Sequence, residues 1–171
     1  ALNFTISDPD ENALQFNASN GDLVDLPLSG VVPVGSAVRT FELWIKRDRT
    51  ATAETLFAYG AESTDNFFSL GFVGSDELTF SADGATPLGA NLFVTDNDWH
   101  HVAITYDGSN NITMFLDGTA GSGVHNIPGL NTTNTNVELG QSFGGGNNFD
   151  GAIDEFAIWN TVRSTLNIQA D

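Results

Sequence analysis

The chain has 171 residues, 40% of them hydrophobic, and carries 22 acidic against 5 basic side chains, a formal net charge of −17. That size and apolar content suit one folded domain with a sizeable core. The charge excludes nucleic acid and anionic membrane surfaces as partners, because both need a basic face, and the absence of cysteine excludes a disulfide framework and thiolate metal sites.

Taken in chain order, turn clusters and short apolar runs alternate. The runs are LQF (14–16), LVDL (23–26), TFELWIK (40–46), ETLFAY (54–59), FFSLGF (67–72), LTFSA (78–82), HVAITY (101–106), ITMFL (112–116), VEL (137–139) and FDGAIDEFAIW (149–159). Turn signals such as SDPDEN, ASNGD, GSDE, ADGATP and GQSFGGGNN separate them. About ten strands at this spacing predict an all-β, two-sheet antiparallel sandwich or barrel. In TFELWIK, Phe41, Leu43 and Ile45 share one face and Glu42, Trp44 and Lys46 the other. The last run is mixed: Ile153, Glu155 and Ala157 oppose Asp154, Phe156 and Ile158. That mixture suggests a curved sheet covered in part on both sides. Arg39, Lys46, Arg47 and Arg49 form one local basic patch, read as a solvated strand end or a docking patch. No run is long and apolar enough to insert into a membrane as a helix.

The segment WHHVAITYDGSNNITMFLDG (99–118) predicts a hairpin. Its turn, Asp107-Gly108-Ser109-Asn110, uses residues that tolerate positive φ or cap their own backbone. Ile112, Met114 and Leu116 face one way in its second arm. Asp117-Gly118 offers a further turn. His100 and His101 are neighbours on a strand, so they point to opposite faces and do not chelate one ion together. Past residue 160, a short helix with Ser164 as its N-cap fits the tail.

No carboxylates are paired at a spacing of two along a strand, which speaks against glycosidic-bond cleavage. The loops are rich in hard oxygen donors, which suit Ca²⁺. Sugar recognition needs an aromatic platform beside polar partners. Tyr59, Phe67, Phe68, Phe93, Phe143 and the Asn147-Asn148 pair are candidates, with Phe143 the aromatic most expected at the surface. The ligand contacts expected are Phe143, Asn147, Asn148, Asp65 and Asp83. A second, ligand-bridging calcium among Asp65, Asp83, Asp96 and Asp98 is a further expectation.

The ordered set ALQFNASNGDLVDLP, RTFELWIK, WHHVAITYDG…LDG and FDGAIDEFAIW resembles the laminin-G-like, concanavalin A-like jelly-roll family through most of the chain. The resemblance implies a jelly roll with a short C-terminal helix, spanning 1–171 as one domain of a larger extracellular protein. It also implies a structural calcium between the opening turn and the last strand, with Asp154 as side-chain ligand and Asn17, Asn20 or Asp22 completing the site. The expected function is non-catalytic binding of carbohydrate or surface glycan with calcium support, in a secreted or cell-surface setting. Two alternatives remain: a protein-interaction or spacer module with structural calcium only, and a polysaccharide-cleaving enzyme.

Overall fold

Short apolar runs between turn residues build thirteen strands in the computed structural model of the chain, which describes residues 13–50, 52–61, 63, 65–82, 87–122 and 125–170. They are β1 (Leu14–Phe16), β2 (Val24–Leu26), β3 (Arg39–Arg47), β4 (Glu54–Gly60), β5 (Phe67–Phe72), β6 (Glu77–Ser81), β7 (Leu88–Phe93), β8 (Trp99–Tyr106), β9 (Asn111–Leu116), β10 (Thr119–Ala120), β11 (His125–Asn126), β12 (Val137–Leu139) and β13 (Gly151–Trp159), followed by helix α1 (Thr165–Ile168). One antiparallel sheet has seven strands in the order β1-β13-β3-β8-β9-β10, with β11 also on β9. The other has six, in the order β2-β12-β4-β5-β6-β7. Together they make the expected jelly-roll sandwich.

The core between the sheets is built on phenylalanine. Phe41 of β3 stacks on Phe57 of β4 at 4.7 Å between ring centroids, and Phe68, Phe156 and Tyr59 surround it at 5.3–6.1 Å. Phe41, Leu43 and Ile45 are all fully buried, as their alternation predicts. The hairpin forms at β8–β9, with the Asp107 carboxylate accepting from the backbone N–H groups of Ser109 and Asn111. Ile112 and Met114 enter the core. Phe115, on the opposite face, packs with Ala103 beneath Ile168 of α1. Ser164 caps that helix by accepting from the Asn167 N–H at 3.2 Å.

One expectation is sharpened and one corrected. The mixed faces of the last strand come from a β-bulge, because the register against β3 shifts between Asp154 and Ala157 and Glu155 holds φ at 48°. One extra residue lets Ile153 and Phe156, three apart, both enter the core, and turns Glu155, Ala157 and Trp159 outward. The basic cluster is not one surface patch either: Lys46 and Arg49 stay partly exposed, but the other two members are buried. Arg39 is fully buried, giving hydrogen bonds to Thr132 Oγ1, the Ala37 and Gly35 carbonyls and the Tyr59 hydroxyl. Arg47, at the other end of β3, is buried against Glu54 and the Phe72 ring. The strands β7, β10 and β11 escaped the sequence reading. In β7 the turn-type residues Gly89 and Asn91 mask the pattern, and both are explained by Glu77. Its carboxylate lies where a Gly89 side chain would stand, and it accepts from the Asn91 N–H at 2.8 Å.

Candidate functional site

The outer face of the six-stranded sheet is lined with small polar residues, because alternation sends every second residue away from the core. Ladder rows on this face run Thr55–Gly71–Thr79 and Ala58–Ser69–Ser81. The row between them, Phe57–Leu70–Phe80, and the row beyond, Tyr59–Phe68, fill the core. Short side chains leave the face hollow. A groove of about 290 Å³ lies there, bordered by Thr55, Ser69, Thr79, Ser81, Ser142 and Asn147, with Phe67 at one end. Thr55, Ser69 and Thr79 are buried at its floor.

Among the described residues one ionisable side chain borders the groove, Glu54. It is already committed: its carboxylate accepts from Arg47 Nε at 2.8 Å and from Arg49 Nη2 at 3.3 Å. Burial pushes the Glu54 carboxyl above its usual range, and the Arg47 hydrogen bond and charge pull against that without cancelling it. No lysine or arginine is among the described lining residues. The described lining residues therefore offer hydroxyls, an amide and an aromatic edge, and no free charge.

The loop from Gly140 to Asp150 closes one side. Gly144, Gly145, Gly146 and Asn147 all hold positive φ, between 47° and 101°, a run that side chains with a Cβ would resist. The turn is pinned by Ser142, whose N–H and hydroxyl both donate to the Gly146 carbonyl. The Asn147 carbonyl accepts from the Thr55 N–H at 2.7 Å, which clamps the loop to β4. Asn147 thus reaches the groove, and Phe143 packs on Phe67 at 5.5 Å between centroids, half-buried at its rim.

Two of the other expected ligand contacts go elsewhere. Asn148 turns away, donating from Nδ2 to the Ala18 carbonyl. Asp65 sits at the β4–β5 turn with its carboxylate toward Gly129. Asp83 lies outside the described residues. Tyr59 and Phe68 are core, while Phe93 is exposed. The hydroxyl floor went unnoticed in the sequence, although the alternation in FFSLGF and ELTFS shows Ser69, Thr79 and Ser81 on one face.

Residues 18–169 match a laminin-G-type family model described as the concanavalin A-like lectin/glucanases superfamily. The chain belongs to that superfamily. Solved structures of the same fold include domain 4 of AbnA, a GH43 extracellular arabinanase from Geobacillus stearothermophilus in complex with arabinotriose. It is 21% identical with TM-score 0.75, over 99% of this chain and 81% of that one. A Ruminococcus gnavus IT-sialidase CBM40 bound to α2,3-sialyllactose is 15% identical with TM-score 0.73, over 94% and 95%. A carbohydrate-binding protein from Bacteroides ovatus is 18% identical with TM-score 0.72, and this chain spans 46% of its length. No curated protein sequence matches significantly.

The superfamily resemblance implied one calcium shared by Asp154 and the opening turn, but the register sets these apart. Phe16 pairs with Gly151 and Leu14 with Ile153, so Asn17 sits beside Asp150, four residues from Asp154. That is roughly 13 Å along the strand. The turn is closed on itself, with Asp22 accepting from the Asn17 N–H, Asn17 Oδ1 from the Ser19 N–H, and the Asn20 N–H donating to the Asn17 carbonyl. Asp154 is buried; its Oδ1 accepts from the Glu155 N–H, while Oδ2 has no hydrogen-bond partner among the described residues. An orphaned buried carboxylate oxygen fits a cation. Among the described residues no three His, Cys, Asp or Glu side chains converge, so backbone and amide oxygens would supply the remaining ligands. Asp96, expected in a second calcium site, is instead bound to His100.

Proposed function

We propose that this domain is a non-catalytic binding module for uncharged glycans, held in the groove on the six-stranded sheet. The observation that carries the reading is the groove's chemistry: hydroxyl and amide groups beside Phe67 and the Phe143 packed on it, with no free charge among the described lining residues. Sugar hydroxyls find donors and acceptors on such a floor, and a pyranose or furanose ring presents its apolar face to Phe143. The neighbours support carbohydrate as the ligand class, since one holds arabinotriose and another sialyllactose. A carboxylated sugar would need a cationic side chain, and none is among the described lining residues, so arabinotriose is the better guide of the two. The parent protein is proposed to be secreted or surface-attached, with this module one domain of it. Calcium is proposed at Asp154 as a structural ion.

Calorimetric titration with arabinotriose, xylotetraose and sialyllactose tests this. A neutral oligosaccharide should bind and sialyllactose should not. Phe143→Ala should weaken the bound neutral sugar about tenfold, the loss of one aromatic contact of roughly 1.4 kcal/mol. Binding of sialyllactose alone, or affinity untouched in both Phe143→Ala and Asn147→Ala, would overturn the reading.

A further inference from the structure

The opposite face of the sandwich carries a second hollow. It measures about 300 Å³ on the outer face of the seven-stranded sheet, between Glu42, Trp44, His101, Glu155, Trp159 and Arg163. Trp44 and Glu42 alternate on β3, and His101 faces Trp44 across the β3–β8 ladder, with ring centroids 5.4 Å apart. Trp159 stands opposite Thr40 on the other neighbour, β13, four residues from the level of Trp44. The two indoles therefore stand roughly 13 Å apart along the strands. Between them lie Glu42 and, directly opposite it, Ala157, whose methyl group keeps the floor low. The bulge brings Glu155 onto this face; a regular β13 would have placed Phe156 here.

The charges inside the hollow are arranged by the chain itself. Arg163 donates to Glu42 Oε2 and lays its guanidinium 4.5 Å from the Trp159 ring centre. His101 Nε2 stands 3.8 Å from the same Glu42 oxygen. A cationic ligand would have to displace Arg163 from both the carboxylate and the indole. An anionic one would meet Glu42 and Glu155 in a chain of net charge −17. An uncharged polyhydroxy ring suits this lining: an indole wall at Trp44, edged by polar groups of Arg163, His101, Glu42 and Glu155, the first three already drawn together within the chain. Past Trp44 the surface dips again, into a hollow of about 210 Å³ edged by Asp117, Gly118 and Gln169. A chain of two or more sugar rings has room to cross Trp44.

We infer that the Trp44–Trp159 hollow is a second binding site for a neutral oligosaccharide, on the face opposite the groove, which makes the module bivalent. This rests on the reading that the domain takes neutral glycans, and is independent of the groove being one place it takes them.

The tryptophans supply the test. Of the three in the chain, Trp44 and Trp159 line this hollow, Trp99 does not, and none lines the groove. ¹⁵N-labelled protein is titrated with arabinotriose, xylotetraose and cellotetraose in turn, following the indole N–H resonances together with the amides of Ser69 and Thr79. The Trp44 and Trp159 indoles should shift saturably with at least one probe, and still do so in the Phe143→Ala/Asn147→Ala variant. Ala157→Arg, which fills the hollow, should weaken that response at least tenfold; Trp44→Ala serves if Ala157→Arg does not fold. Shifts of the Ser69 and Thr79 amides with still indoles would overturn the second site and leave the groove. Indole shifts with still groove amides would uphold the second site and remove the groove. Silence at both positions with all probes overturns both. Release of new reducing ends from any probe, abolished in Glu155→Gln, would overturn binding as the function of this hollow.

Discussion

His100 shows how two carboxylates fix the protonation of a single side chain. Its Nδ1 and Nε2 each lie 2.8 Å from a carboxylate oxygen, Asp117 on one side and Asp96 on the other. A neutral imidazole has one N–H and can donate to only one of them; the imidazolium serves both. Partial burial pulls the His100 pKa down, but the two hydrogen bonds and the two negative charges outweigh it, and the net shift is upward from 6.5. The same bond lowers Asp96 from 3.8, helped by the Asp98 N–H. The raised histidine contributes stability that is fully present below pH 6.5 and is lost as pH rises through its folded value. The lowered aspartate contributes stability present above pH 3.8 and lost as pH falls through its own. The clasp is therefore intact at mildly acid pH. His100→Gln should melt below the wild type at about pH 5–6, with the gap closing towards about pH 9. Melting curves across that range check it, and a gap that widened with pH would mean the ring is held neutral.

At the scale of elements, strands were legible wherever alternation was clean. β3 and β9 were read face by face from their sequences, and Ser164 announced α1. What the sequence hid were features that depend on a partner strand. The bulge in β13 is a property of its register with β3, so IDEFAI alone looks like a strand with confused faces. The groove floor comes from β4, β5 and β6 contributing one or two short side chains each. The meeting of Glu42 and Glu155 at one hollow likewise runs across strands, beyond any search along one of them. The buried arginines mislead for a related reason: their partners, Thr132, Tyr59, Glu54 and Val94, come from other strands and loops. Helix α1 has four residues and holds to the sheet through Ile168, buried against Ala103 and Phe115. Ile168→Ala removes that anchor, at a cost of about 2 kcal/mol, the low end for a site at the edge of the core. For a domain of this length that lowers the melting temperature by roughly 4–8 °C. Because Arg163 also donates to the Asn167 carbonyl, the Trp159 indole resonance should broaden in the same variant. An unchanged Tm would show the helix to be a loose tail.

For the molecule as a whole, the dominant quantity is a net charge of −17 on 171 residues, which raises the free energy of the compact state by self-repulsion. The Ca²⁺ proposed at Asp154 would relieve this locally, at a buried carboxylate oxygen left without a hydrogen bond among the described residues. An ion that binds only the folded chain stabilises it by about 2.7 kcal/mol at a hundred times its dissociation constant. Removing it with EDTA should then lower the melting temperature by roughly 5–10 °C. Because any divalent cation screens so acidic a surface, the comparison is made in Mg²⁺ at equal ionic strength, where only the specific effect survives. Asp154→Asn keeps the shape of the side chain and removes its charge, so its Tm should no longer respond to calcium. A wild type indifferent to EDTA would remove the ion altogether. A full calcium response surviving in Asp154→Asn would move it to the junction of the opening turn and closing loop. There Asn148 Oδ1 is likewise buried without a hydrogen-bond partner among the described residues, and Asp150 accepts from the Ala18 N–H.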